Sequence, residues 1–335
     1  MNIRWKEIIG ALLLGSLCPG LIISMMSNKV SSMPQMQNET VNSISQVQYT
    51  TEETVMQTAL EEKFHLAVLM PDGQIKQMDT DAYLTAVVLR EMPADFEVEA
   101  LKAQAIVART YALRHALKGS KHALAAVCTD SSCCQGYISE SKFIDNGGTT
   151  DQLEKVRSAV TATTGLVLTF NGALAEATYF SCSGGMTEDA KAVWGSDVPY
   201  LQAVKSPGEE KASHYTDSVS ISTEDFSNRL GQKLTGAAES WIESITYTEG
   251  GGVDRIKICG KSYKGTQIRT LLGLRSTAFV ITVIGETVCI TTKGYGHRVG
   301  MSQYGADAMA VQGKDYKEIL SYYYSGTKIE KWFVN

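Results

Sequence analysis

Thr80-Asp81-Ala82-Tyr83-Leu84-Thr85-Ala86-Val87-Val88-Leu89-Arg90-Glu91-Met92-Pro93 is the stretch on which the fold turns. Thr80 and Asp81 supply an N-cap for the apolar-periodic run Tyr83, Leu84, Val87 and Val88. Pro93 disfavours helix in the residue before it, so this helix stops near Glu91. A second helix is predicted from about Glu97 to Lys118, where Ala100, Leu101, Ala105, Ala108, Ala112 and Ala116 give a narrow face of small side chains and Gly119 ends it. Two helices joined at Met92 to Phe96 make an elbow, and Glu91 sits in it.

Outward from the elbow, Phe64–Met70 reads as a strand, Pro71-Asp72-Gly73 as a turn, and a second strand starts at Gln74. On the other side, Asp151–Thr163 reads as a helix. Leu166–Phe170 and Leu174–Phe180 flank Asn171-Gly172, a strong hairpin signal. Residues 213–275 change character, with a helix near Thr223–Leu230, strands near Trp241–Tyr247 and Arg255–Cys259, and a helix at Thr266–Leu272. Strands at Phe279–Ile284 and Val288–Ile290, a Gly-rich loop, and helices at Ser302–Val311 and Tyr316–Tyr324 close the chain. The expected class is α+β: a mixed helix and antiparallel-sheet core over 61–212 and 276–335, with a smaller inserted α+β subdomain over 213–275.

Ahead of the core, Ile8–Met26 is an almost continuous apolar run carrying no charge, preceded by Arg4 and Lys6. That is a signal-type segment with its N-terminus inside. No A-x-A site follows Met25, which favours an uncleaved transmembrane anchor over 1–26 rather than a removed signal peptide. Residues 27–60, rich in Ser, Asn, Gln and Thr, read as a flexible tether. The rest of the chain is then expected outside the cytoplasm. In the 335 residues, a hydrophobic fraction of 44% and a charged fraction of 20% exclude wholesale disorder, and the net charge of -5 gives no broad attraction to nucleic acid.

Glu91 is the sharpest chemical candidate. A carboxylate at a helix C-terminus faces the negative end of the macrodipole, which disfavours its ionised form. Walling-off by Met92 and Phe96 raises its pKa further, as a general acid requires. A solvated glutamate, or an ion pair with Arg90 or Lys102, is the plainer alternative. On the second helix Lys102 and Arg109 share one face, and Gln104 and Tyr111 another; they line a groove or snorkel from a buried helix. Tyr179-Phe180-Ser181-Cys182-Ser183-Gly184-Gly185 and Gly294 to Gly305, with His297, Ser302, Gln303 and Tyr304, present hydroxyls, amides and rings on Gly-rich loops.

Seven cysteines are too few and too uneven for a disulfide framework. His122, Cys128 and Cys134 fall at H-x5-C-x5-C, the ligand types zinc prefers, with water, Asp130 or substrate in a fourth position. A disulfide from Cys128 to Cys133 or Cys134, or plain buried thiols, compete. Adjacent cysteines point differently, so only one of Cys133 and Cys134 is expected to join.

Ala82-Tyr83-Leu84 through Glu91-Met92-Pro93, Glu99 to Ala105 and Ala108 to Ala112, Ala177 to Ser181, Ser183-Gly184-Gly185, Val193-Trp194-Gly195, Pro199-Tyr200-Leu201 and Gly294 to Gly305 together resemble the stage II sporulation protein D family of peptidoglycan lytic transglycosylases. The resemblance runs from about residue 62 to the C-terminus. It implies that Glu91 is the catalytic acid, cleaving between N-acetylmuramic acid and N-acetylglucosamine in peptide-stripped glycan strands with 1,6-anhydro-muramyl products. It implies that Lys102, Arg109, Tyr179, Ser181, Ser183, His297, Ser302, Gln303 and Tyr304 line the glycan groove. No cofactor is expected to be needed for the chemistry; a zinc at the cysteine cluster would brace the groove or serve catalysis equally well. The resemblance further implies a mother-cell membrane protein facing the forespore during engulfment, working beside an amidase and membrane partner proteins. Two rivals remain at this level: a non-catalytic glycan-binding scaffold, and a hydrolysing muramidase using Glu188 or Asp189 as a second carboxylate.

Overall fold

Gly73 adopts a left-handed φ of 81° and the Asp72 carboxylate accepts a hydrogen bond from the Gln74 amide at 3.0 Å. This closes the turn between β1 (His65–Leu69) and β2 (Ile75–Asp79). The computed structural model describes residues 65–332; the expected anchor over 1–26 and tether over 27–60 lie outside the described residues. Asp79, one position earlier than expected, caps α1 (Thr80–Glu91) by accepting from the Ala82 amide at 2.9 Å. Asp81 is drawn away to Arg109 instead.

The chain then forms α2 (Val98–Lys118), β3 (Val127–Cys128), which pairs in parallel with β1, α3 (Glu140–Asp145) and α4 (Thr150–Thr161). α2 is buried over most of its circumference: besides Ala100, Ala105, Ala108 and Ala112, the side chains of Gln104, Ile106, Val107, Arg109 and Thr110 are also enclosed. The expectation of one narrow alanine face is therefore too modest, because helices close in from several directions. β4 (Leu166–Phe170) and β5 (Ala173–Leu174) form the hairpin, with Asn171 and Gly172 both at positive φ as a type I′ turn requires. The second strand ends at Leu174, earlier than expected. Arg114 takes the Leu174 carbonyl at 3.1 Å and the Tyr200 hydroxyl accepts from the Glu176 amide at 2.7 Å, turning the chain out of the hairpin. It continues as β6 (Tyr179–Phe180) and α5 (Ala190–Trp194).

A second hydrophobic cluster follows, separate from the first and centred on Phe226, Trp241, Ile256, Ile258, Ile268, Phe279 and Ile290. It is built from β7 (Thr216–Ser222), α6 (Thr223–Leu230), β8 (Ile242–Tyr247), β9 (Val253–Ile258), β10 (Lys261–Lys264), α7 (Gly265–Leu272), β11 (Phe279–Ile284) and β12 (Thr287–Lys293). These give two three-stranded antiparallel sheets, β10-β9-β8 and β11-β12-β7. We call this part the small lobe. β13 (Met301–Ser302) returns the chain to pair in parallel with β6. α8 (Gln303–Val311) and α9 (Tyr316–Tyr323) then pack on α2, and β14 (Lys328–Lys331) completes the β4 sheet. The class is α+β, with helices around several small, mostly antiparallel sheets. Among the described residues, no helix is long and apolar enough to cross a membrane.

Candidate active site

Glu91 is the last residue of α1, and the elbow beyond it is closed by Met92 N–H to Val88 O at 3.0 Å and Phe96 N–H to Pro93 O at 3.1 Å. Met92 and Phe96 are both buried. The Glu91 carboxylate accepts a short hydrogen bond from the Gly136 amide. A Cβ on Gly136 would lie 2.8 Å from both Arg90 Cγ and Glu91 Oε1, so only glycine lets the backbone come this close. Burial raises the Glu91 pKa above the ordinary glutamate value, against smaller opposing effects of the Gly136 amide and the Arg90 charge.

Glu91 lines a cleft of about 950 Å³ together with Tyr179, Ser181, His297 and Gln303. These four were expected there. The Tyr179 hydroxyl accepts from Gln135 Nε2 at 3.1 Å, and Gln135 Oε1 accepts from Tyr83 at 3.2 Å. Burial, then the neighbouring Glu91 charge, holds the Tyr179 phenol well above its usual pKa, and it stays protonated. His297 is edged by Phe180 at 5.7 Å and Trp194 at 5.2 Å between centroids. Burial, then the Arg269 charge, pushes its pKa down to about 4, so the ring is neutral near pH 7.

Five expected groove residues stand elsewhere, each claimed by a structural partner. Lys102 pairs with Glu99 at 2.6 Å and lies 5.9 Å from the Tyr316 ring centroid, and it does not line the cleft. Arg109 is 2% exposed and donates to Thr163 O at 2.7 Å, Leu166 O at 3.2 Å and Asp81 at 2.9 Å. The buried Ser183 hydroxyl donates to Glu209 at 2.8 Å. Ser302, also buried, caps α8 by accepting from the Gly305 amide at 3.2 Å. Tyr304 packs against the Phe96 ring at 4.9 Å.

The two rival carboxylates are also engaged. Asp189 caps α5, and Glu188 is 1% exposed, paired with Arg298 at 3.3 Å and accepting from the Gly252 amide at 2.9 Å. The second carboxylate that does line the cleft is Glu176, paired with Arg114 at 2.8 Å. Arg90, Tyr111, His115, Trp194, Tyr295 and Arg269 complete much of the wall. Of these, Arg90 beside Glu91, Tyr111 on the Gln104 face of α2, Trp194 in Val193-Trp194-Gly195 and Tyr295 in the Gly294 to Gly305 run carried a signal in the sequence, whereas His115 and Arg269 did not.

Beside the cleft, one ligand atom each from His122, Cys128, Cys133 and Cys134 lies within 4.8 Å of every other. Cys133 therefore joins the cluster, contrary to expectation: both the Cys133 and Cys134 amides donate to Asp130 O, a tight turn that brings adjacent thiols 3.9 Å apart. Asp130 does not join, since its carboxylate accepts from the Ser132 amide and hydroxyl. All three thiols are free, not disulfide-bonded. His122 Nε2 stands 3.4 Å from Cys134 Sγ and 3.7 Å from Cys133 Sγ. Tetrahedral zinc places sulfurs about 3.8 Å apart and sulfur about 3.6 Å from nitrogen. The cluster could hold a metal ion.

Fold and site together define an α+β protein with an aromatic- and hydroxyl-lined cleft and a protonatable glutamate in it. Residues 72–170 match the profile of the SpoIID family, described as Stage II sporulation protein. The chain is 40% identical over 262 residues to stage II sporulation protein D of Bacillus subtilis (strain 168), covering 77% of this chain and 76% of that protein. The same identity and coverage hold for the Bacillus amyloliquefaciens protein of that name. A B. subtilis protein named amidase enhancer is 31% identical over 302 residues, 74% of this chain and 40% of its own length. This chain belongs to the stage II sporulation protein D family.

Proposed function

We propose that this chain is a peptidoglycan lytic transglycosylase acting outside the cytoplasm, anchored by residues 1–26, during engulfment. The carrying observation is a half-buried Glu91 of raised pKa in a cleft whose other lining carboxylate, Glu176, is held by Arg114. Ordinary glycosidases need two carboxylates, one of them to activate water or attack the sugar. With one, the nucleophile comes from the substrate. Glu91 donates its proton to the bridging oxygen as the muramyl C1–O bond breaks. The muramyl 6-hydroxyl then closes on C1 and returns its proton to the Glu91 carboxylate. One bond is exchanged for another, and no water is consumed. The neutral Tyr179 hydroxyl is available to hydrogen-bond a sugar or N-acetyl group, whereas His297, whose Nδ1 accepts from the Val299 amide and whose ring also bonds the Tyr179 backbone, contributes a neutral ring to the wall.

Digestion of purified peptide-free glycan should give 1,6-anhydro-muramyl ends by mass spectrometry. Reducing ends would point to a hydrolysing muramidase, and folded protein that leaves the strands intact would point to a binding scaffold. The relative named amidase enhancer supports a setting in which a wall amidase works alongside.

His122, Cys128, Cys133 and Cys134 fit structural zinc, whose four-coordinate sites use this donor set. When bound, the ion ties the loop after α2 to β3 at the cleft wall; Glu91 chemistry does not pass through it. Protein purified without a metal-binding tag should carry about one zinc per chain, with thiols that titrate after denaturation in chelator. No metal and two missing thiols would establish a disulfide instead.

A further inference from the structure

Arg269 belongs to α7 of the small lobe, yet its side chain lines the cleft that holds Glu91. The core residues Ile268 and Leu272 fix its helix, and Gly273, in a left-handed C-cap, turns the chain so that Leu274 O accepts from Arg269 Nε at 3.3 Å. That is its side chain's one hydrogen bond among the described residues. Among the described residues, the two terminal nitrogens have no protein partner and no carboxylate is paired with it.

Three neighbouring cations have protein partners. Arg114 is taken by Glu176, Arg275 by Asp217 at 2.8 Å, and Lys121 by Cys133 O at 2.8 Å. Arg90 also lines the cleft, but it is exposed to water that screens it, and its charge acts on Glu91. Arg269 is half-buried, and burial disfavours its charge. Its neighbour His297 stays neutral and supplies no competing cation, while the exposed ring of Tyr295 lies beside it as a surface for a sugar. A guanidinium drawn partly out of water with its fork open suits a planar anion.

We propose that Arg269 is a specificity-determining residue that pairs with the free lactyl carboxylate of a muramyl residue and so selects strands stripped of their stem peptides. The inference rests on the glycan-cleaving reading above. A stem peptide converts the lactyl carboxylate into an amide, which carries no charge and presents one carbonyl in place of two equivalent oxygens. Losing a charge-assisted, forked hydrogen bond lowers affinity roughly 10- to 100-fold. The small lobe thereby reads the state of the wall while the elbow cuts it.

The test compares two preparations of the same peptide-free strands, one with lactyl carboxylates free and one with them converted to methylamides. The full-length chain should cleave the free-acid strands with a kcat/KM roughly 10- to 100-fold higher, mostly through KM, and added salt should narrow the ratio. Arg269→Gln should collapse the ratio towards one, and Arg269→Lys, which keeps the charge without the fork, should keep part of it. Equilibrium binding of both strands to Glu91→Gln protein, with and without Arg269→Gln, separates the two readings. Absence of anhydro products alongside a retained binding ratio sinks the transglycosylase reading and leaves Arg269 as the carboxylate reader. Equal handling of both strands, binding of neither, or an unchanged ratio in Arg269→Gln overturns the role of Arg269.

Discussion

Glu91→Gln should lower strand cleavage on the order of 10²-fold or more, the scale of a general acid. The substitution is isosteric, and its amide oxygen can still accept the Gly136 N–H. Only the transferable proton is lost, so kcat falls while strand binding is retained. Stability moves the other way. A carboxyl whose pKa is raised by folding stabilises the fold at low pH and costs stability as pH rises through and above the unfolded value. The neutral glutamine removes that cost, so the variant should melt no lower than the parent near pH 7. Cleavage by the parent should decline as pH rises through the elevated Glu91 pKa, because the proton to be donated is then lost. A variant keeping more than a few per cent of the parent rate, or one that is inactive because it is unfolded, would remove Glu91 from the mechanism or leave the assignment without support.

How far a residue's place is legible depends on whether its partners are near in sequence. Pro93 bounds α1 by a local steric rule, so Glu91 at the elbow is visible from a dozen residues. Asn171-Gly172 marks its hairpin equally locally. The cap moved by one residue because Asp81 is drawn 28 positions away to Arg109, a tertiary claim on a side chain that would otherwise cap. Ser183 shows the same limit: its hydroxyl suits a groove, but Glu209 is brought onto it by the fold. Cys133 was set aside on the rule that adjacent side chains diverge, which the turn around Asp130 defeats. Arg269 had no local signal at all, since only the docking of the small lobe brings it to the cleft.

Arg109 gives the other large expected effect, and it decides between two readings of one residue. The family resemblance places it in the glycan groove, whereas the structure encloses it, with Asp81 and the carbonyls of Thr163 and Leu166 around its fork. Those carbonyls belong to the end of α4 and the start of β4, so the guanidinium ties α1, α2 and the β4 sheet at one point. Arg109→Met fills similar volume but strips the fork's partners of their donors. Breaking a buried pair from one side costs about 3–5 kcal/mol. Asp81 is 29% exposed and keeps its bond from Thr164, so the lower end, about 3 kcal/mol, is expected. Arg109→Lys retains a charge near Asp81 but cannot reach several acceptors at once, and should fall between. Urea unfolding should show a lower midpoint with little change in slope. Residual activity per folded molecule should stay near that of the parent. Should Arg109→Met unfold with the parent midpoint and lose affinity for glycan instead, the side chain would belong to the groove after all, and its enclosure would have to open when a strand binds.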